Sequence, residues 1–274
     1  MIARTFIAGA VALGLTAGAA LAAGQCAEGK TIAAGKLTVA TGNPAYSPWV
    51  EDDDPASGKG FEAAVAYAVA KNMGFAADDV TWVRAGFDES IQPGAKNFDF
   101  NLQQFSITPE RAKVVDFSKP YYSAAMAVLV LKPTVDAGAA PTVESLKTLK
   151  WGVVASTTAL PVVQNLIHPD SDPLLYDDNT NVIAAMQANQ IDAAIFDLPT
   201  ALYLAAVELD NGVVLGQFPA DRAEHPDQFG MLLEKDSPLT ACVNEALDKM
   251  TADGELAGIE KTWLQDATGV PLIQ

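Results

Sequence analysis

Residues 98–122, FDFNLQQFSITPERAKVVDFSKPYY, carry the densest set of side chains able to hold a small charged molecule. Thr108 suits a helix N-cap, Pro109 the first helical position and Glu110 the positive end of the helix dipole. Arg111 breaks this pattern, since a cation in a first turn opposes the dipole by roughly a few tenths of a kcal/mol. Violations of a local rule concentrate at functional sites. A guanidinium beside free helix N–H groups would grip both oxygens of a carboxylate. The plainer reading is a surface arginine paired with Asp116 or Glu110, and these residues alone leave both open.

A second candidate anion site is Ser156-Thr157-Thr158, where hydroxyls and backbone N–H groups meet at a strand-to-helix turn; simple capping is the alternative. Asp197 closes the apolar run 193–196. A carboxylate at the C-terminal end of a parallel strand points toward a cleft, although ahead of Leu198-Pro199 it could equally cap a helix. Tyr46, Trp49 and Phe87 follow expected strand ends, where they could wall a pocket or lie in the core. Catalysis has little to stand on. His168 and His225 each neighbour a proline in polar loop sequence, and no spacing of His, Cys or carboxylates resembles a metal site. There is no G-x-S-x-G elbow, Walker loop or G-x-G-x-x-G run, so neither metal nor cofactor is expected.

The elements that must position these residues follow from periodicity. Residues 36–40 read as a short strand ending in a loop with Asn43, Pro44, Tyr46, Pro48 and Trp49. An acidic loop, 51–60, follows. Phe61, Ala64, Val65, Ala68 and Val69 then recur at helical spacing, and 80–83 form a second strand. This β-α-β order predicts a parallel sheet with a right-handed crossover. The pattern restarts with a strand at 151–155, a helix near Thr158, another around 181–188 and a strand at 192–196. The apolar stretch 125–131 lies between the halves. Two α/β units joined by extended connectors predict a two-lobed protein with a cleft. The tail returns to helices: one entered through Ser237-Pro238, with Leu239, Cys242, Val243, Ala246, Leu247 and Met250 on one face, and a last one carrying Leu256, Ile259 and Trp263.

The 274 residues include 34 Asp and Glu against 17 Lys and Arg, a formal net charge of −17. That excess argues against nucleic acid and anionic membrane surfaces as partners. A composition 50% hydrophobic and 19% charged is that of a globular chain. Arg4 is the only charge before Glu28, and an apolar stretch ends in small residues, so residues 1–22 read as a signal peptide cut after Ala22 or Ala23. A membrane anchor fits less well because Gly, Ala and Thr dilute the stretch. Gln25 stands before Cys26 where a lipid-anchored chain would want a small residue. In an exported chain Cys26 and Cys242 are expected to pair, with a buried free thiol at Cys242 as the other reading.

At this point the residues resemble a known family, the periplasmic amino-acid-binding proteins of ABC importers (solute-binding protein family 3). The resemblance is carried by Gly35-Lys36-Leu37-Thr38-Val39, Gly60-Phe61, Ser106-Ile107-Thr108-Pro109-Glu110-Arg111, Asp116-Phe117-Ser118, Pro120-Tyr121-Tyr122, Ile191-Asp192-Ala193-Ala194, Asp253-Gly254 and Trp263-Leu264. It implies an α/β, two-lobed Venus-flytrap fold with two interlobe crossovers, lobe 1 being 27–124 plus 226–274 and lobe 2 125–225. By similarity Arg111 takes a ligand carboxylate with Ser106 and Thr158. Asp197 and the main chain of Gln104 take the ammonium, and Phe87 and Tyr46 wall the site. Arg111 and Asp197, one from each half, match the two charges of an α-amino acid.

Departures from the family bear on selectivity. Many relatives that bind cationic side chains have an acid where this chain has Asn43. A buried cation without a partner is costly, so a polar neutral or acidic side chain is expected. Gln103 and Gln104 stand where small residues are common, and Ser156 replaces a frequent glycine. The resemblance further implies a monomeric periplasmic receptor, not an enzyme, that hands its amino acid to an ABC permease and ATPase. The alternative is a cyclohexadienyl dehydratase-like enzyme, for which Glu89 is the candidate acid.

Overall fold

The computed structural model describes residues 26–218, 227–264 and 269–274, so the expected signal peptide and His225 lie outside the described residues. The strands are β1 (Leu37–Thr41), β2 (Val80–Arg84), β3 (Phe100–Asn101), β4 (Asp116–Ala124), β5 (Met126–Leu131), β6 (Trp151–Val154), β7 (Leu174–Tyr176), β8 (Ala193–Asp197), β9 (Gly212–Gln217) and β10 (Asp227–Leu233). The helices that position the site or cover the first sheet are numbered separately: α1 (Phe61–Asn72), α2 (Phe87–Ile91), α3 (Ala159–Val162), α4 (Asn179–Gln187), α5 (Leu198–Tyr203), α6 (Thr240–Ala252) and α7 (Glu255–Trp263).

The strands form two sheets, ordered β2-β1-β3-β10-β4 and β7-β6-β8-β5-β9. β1 is buried along its whole length, as a strand covered on both faces must be, and pairs in parallel with β2 and β3. In the second sheet β6 lies parallel to β7 and β8, while β5 and β8 are antiparallel. Each sheet buries its own apolar side chains. Leu37, Phe61, Phe100, Met231 and Val243 belong to one core, whereas Val128, Trp151, Val163 and Ile195 belong to another. The result is α/β and two-lobed, as expected.

The entry to α1 depends on Gly60, whose φ is 100° and where an added Cβ would lie 2.5 Å from Trp49 O. That contact requires glycine. The helix entered through Ser237-Pro238 begins later than expected, at Thr240, with Ser237 Oγ accepting from Leu239 N.

The chain leaves the first sheet between β4 and β5 and rejoins it at β10. A further passage was not expected, because all of 226–274 was assigned to lobe 1. Trp263 and Leu264 do pack on the first core, but Ile273 is fully buried in the second. Gln217 N donates to Pro271 O at 2.8 Å and Ile273 N donates to Gln217 O at 2.9 Å. The physical reason is that β9 ends its sheet, so its outer edge has main-chain groups to offer, and Ile273 fills an apolar slot beside it.

Cys26 and Cys242 are disulfide-bonded, with Cα atoms 5.7 Å apart, which settles the choice left open between a bridge and a buried thiol. The bridge ties the start of the described chain to α6 on the first core. It closes a separation of 216 residues. Replacing both cysteines with serine is expected to lower the unfolding free energy by about 2 to 5 kcal/mol in denaturant titration.

Candidate functional site

One cavity of about 370 Å³ opens between the lobes. All eight side chains expected to contact a ligand line it: Asn43, Tyr46, Phe87, Gln104, Ser106 and Arg111 from the first lobe, Thr158 and Asp197 from the second; Trp49 and Thr157 line it too, whereas Ser156 does not. β1 delivers Asn43 and Tyr46 through the loop after its C-terminal end, and β8 delivers Asp197 as its last residue.

Arg111 does not begin an α-helix. Residues Arg111–Lys113 make a single 3-10 turn, because Val115 is drawn into the core and β4 starts at Asp116. Arg111 N donates to Thr108 Oγ1 at 3.2 Å and Ala112 N to Thr108 O at 2.9 Å. The expected row of free helix N–H groups is therefore absent, and the guanidinium alone faces the cavity. It donates to Ser106 O at 2.8 Å and, across the cleft, to Ser156 O at 2.9 Å. These bonds use two of its five N–H donors. Its Cζ lies 5.3 Å from the Phe87 ring centroid, and that ring stacks on Phe105 at 4.7 Å. Burial lowers the Arg111 pKa from its usual value, while Asp227 and Asp88 oppose the shift.

Asp197 has both of the roles the sequence left open to it. It caps α5, accepting from Thr200 N at 2.9 Å and from Thr200 Oγ1 at 2.8 Å, and it also lines the cavity. Thr200 Oγ1 in turn accepts from Trp49 Nε1 at 2.8 Å. Trp49 belongs to the first core, so this chain of bonds joins the lobes. Burial pushes the Asp197 carboxyl up to about 6, against the two bonds from Thr200. Other bonds also cross the cleft. Tyr46 Oη and Thr180 Oγ1 are 2.8 Å apart, and Ser106 Oγ and Thr158 Oγ1 share a bond at 3.2 Å.

These positions can now be set beside known proteins. The sequence profile of bacterial extracellular solute-binding proteins, family 3, matches residues 37–266. The chain belongs to that family. It is 29% identical over 219 residues to the L-cystine-binding protein TcyJ of Escherichia coli strain K12, covering 80% of this chain and 79% of TcyJ. It is 30% identical over 212 residues to the arginine-binding extracellular protein ArtP of Bacillus subtilis strain 168, covering 74% and 77%. Among solved structures, the ancestral amino acid-binding protein AncCDT-1, a precursor of cyclohexadienyl dehydratase, superposes with a TM-score of 0.68 at 26% identity, covering 84% and 96%.

For a family 3 solute-binding protein, the acidity of the cavity is what the sequence did not convey. Among the described residues seven Asp or Glu line it, and Arg111 is the single Lys or Arg to do so. Glu62, the second residue of α1, is 1% exposed. It accepts from Gln104 N at 2.8 Å, from Gln104 Nε2 at 2.5 Å and from the Tyr121 hydroxyl. Gln104 sits at φ 51°, so Glu62 braces a left-handed peptide at the cavity wall. The Gln104 main-chain N–H and one of its two Nε2 hydrogens go to this brace, and the other amide, Gln103 Nε2, turns to Ala85 O and Asn101 Oδ1. The signal for Glu62 was present, since it is the only charge in α1 before Lys71 and is flanked by apolar residues. Asp227, also on the wall, offered no such cue. Among the described residues no cluster of His, Cys, Asp and Glu could hold a metal ion.

Burial pushes the Glu62 carboxyl up to about 7, opposed by its three hydrogen bonds and reinforced by the charge of Asp197. A carboxyl whose folded pKa exceeds its unfolded value binds more protons in the folded state, so its contribution to stability is complete below pH 4.5 and is lost as pH rises to about 7. The ligand-free protein is expected to lose about 3 kcal/mol of stability across that window through this group. Glu62→Gln should flatten the profile in denaturant titrations at stepped pH.

Proposed function

We propose that the protein is the periplasmic receptor of an ABC importer, capturing one α-amino acid between its lobes and delivering it to a permease with its ATPase. The observation that carries this reading is the convergence on one cavity of a half-buried arginine from the first lobe and a half-buried aspartate from the second. Arg111, with the Ser106 and Thr158 hydroxyls, takes the α-carboxylate through charge-assisted hydrogen bonds. Asp197 takes the α-ammonium, since each of its oxygens accepts only one bond from Thr200 and keeps a lone pair. The Gln104 carbonyl is the second acceptor there, held by the Glu62 brace. Phe87 and Tyr46 wall the side chain, and Asn43 contributes a neutral amide.

The side-chain selectivity expected from Asn43 finds no support. ArtP is named for arginine and TcyJ for cystine, and a cavity wall with seven carboxyls and one guanidinium among the described residues repels a further carboxylate. A ligand with a neutral or cationic side chain fits that wall better. The lobes are those of the family, residues 27–124 with most of the segment after 226 and residues 125–225, acting as a monomer without a cofactor. The reading is a binding protein rather than an enzyme. Glu89 lines the cavity, so the dehydratase-like alternative has a candidate acid, and turnover of prephenate or arogenate would establish it.

Thermal shift of the mature protein against the twenty amino acids tests the receptor reading. A ligand at 100 times its dissociation constant should add about 2.7 kcal/mol of apparent stability. Arg111→Ala and Asp197→Ala should each abolish the shift, and full shifts in both variants would remove the assignment. Titration calorimetry between pH 5 and 8 tests the state of Asp197. Because the ammonium needs the ionised carboxylate, affinity should fall as pH drops below about 6, approaching tenfold per pH unit. Asp197→Asn should abolish that dependence along with most of the affinity.

A further inference from the structure

Asp227 opens β10 at the connection between the lobes, opposite Ala124 at the end of β4. An antiparallel bridge joins Ser106 to Phe229, and Ile107 N donates to Gln228 O at 2.8 Å, so Asp227 is fixed beside the carboxylate-binding hydroxyls. Thr158 Oγ1 donates to Asp227 Oδ2 at 3.2 Å, and the same Thr158 oxygen is 3.2 Å from Ser106 Oγ. Burial raises the Asp227 pKa from its usual value, while hydrogen bonds from Ser106 and Thr158 and the nearby Arg111 charge favour its ionised form.

From this geometry we infer that Asp227 is a specificity-determining residue, one that makes the site select zwitterions over simple carboxylates. The inference rests on the receptor reading and deepens it. Ser106 and Thr158 have one hydroxyl proton each, and Asp227 already takes the one from Thr158. A ligand carboxylate must compete for that proton and settle near a second negative charge. Asp227 also offsets Arg111, so the pair presents no net positive charge to an incoming anion. A bare carboxylate, such as a 2-oxo, 2-hydroxy or desamino acid, brings repulsion with no compensation. An amino acid brings its own cation, which both Asp197 and Asp227 attract. Removing the Asp227 charge therefore relieves the bare carboxylate more than the zwitterion.

The test uses the mature protein, its Asp227→Asn variant and an Asp227→Ser variant that keeps a small polar group should the amide disturb folding. Each is titrated calorimetrically with the amino acid that gives the largest thermal shift and with the same molecule lacking its α-ammonium. For L-arginine that analogue is 5-guanidinopentanoate. The analogue is expected to bind Asp227→Asn at least about tenfold more tightly than it binds the wild type. The preference for the amino acid over its analogue should narrow in both variants. An analogue that binds the variants no better than the wild type, or an unchanged ratio, overturns the inference while leaving the receptor reading intact. If no amino acid shifts the wild type, the receptor reading fails and this inference falls with it.

Discussion

The site depends on one chain of hydrogen bonds, Trp49 Nε1–H to Thr200 Oγ1 and Thr200 Oγ1–H to Asp197 Oδ2. Trp49 is fully buried and packs edge-on against Phe61, Tyr122 and Phe229, so the donor cannot wander. Thr200 belongs to α5, which starts where β8 ends, and its hydroxyl both accepts from the indole and donates to the carboxylate. A rigid aromatic cluster in one lobe thereby sets the direction of a carboxylate in the other. An acid fixed in this way keeps its geometry with the cleft closed, and the cavity wall is organised around it.

Around that chain the wall collects charges that ordinary packing would not tolerate. Glu62 has three donors and no cation, and Asp197 has a hydroxyl and a main-chain N–H. Burying an ionised carboxylate costs several kcal/mol unless hydrogen bonds or a counter-charge offset it. Here hydrogen bonds offset part of the cost, and raised pKa values record the remainder. In the proposed receptor, the ammonium of the ligand would offset part of that cost at Asp197.

Much of this was legible in the residues. The β-rich run 36–40 and the apolar run 193–196 read correctly as strands, and the periodicity after Phe61 read correctly as a helix. Position at strand ends brought out Tyr46, Phe87, Thr158 and Asp197, the misplaced charge brought out Arg111, and the family resemblance supplied Asn43, Gln104 and Ser106; all eight line one cavity. The local conformation at Arg111 misled because Thr108-Pro109-Glu110 satisfies every capping preference, and only the tertiary demand to bury Val115 and begin β4 cuts the helix to one turn. Asp227 was invisible for another reason. Its importance comes from β10 lying beside Ser106, a pairing across more than a hundred residues that no local pattern encodes. The tail behaves likewise, since Ile273 is placed by the free edge of β9 and not by its neighbours in sequence.

The lobes have separate cores, and that separation determines what closure can cost. The residues of the first lobe's cores do not mix with those of the second. The named contacts across the cleft are polar: Tyr46 with Thr180, Trp49 with Thr200, Ser106 with Thr158, Arg111 with Ser156 and Thr158 with Asp227. Each such bond contributes about 1 kcal/mol net, because water replaces it on opening. Hinge movement at the strand connections then breaks no apolar core, and the closed form is favoured by only a few such bonds. The charge-assisted ligand bonds proposed above, which reach both lobes, would exceed that margin. In the proposed receptor the balance between open and closed forms would therefore rest with the ligand, through Arg111 on one side of the hinge and Asp197 on the other.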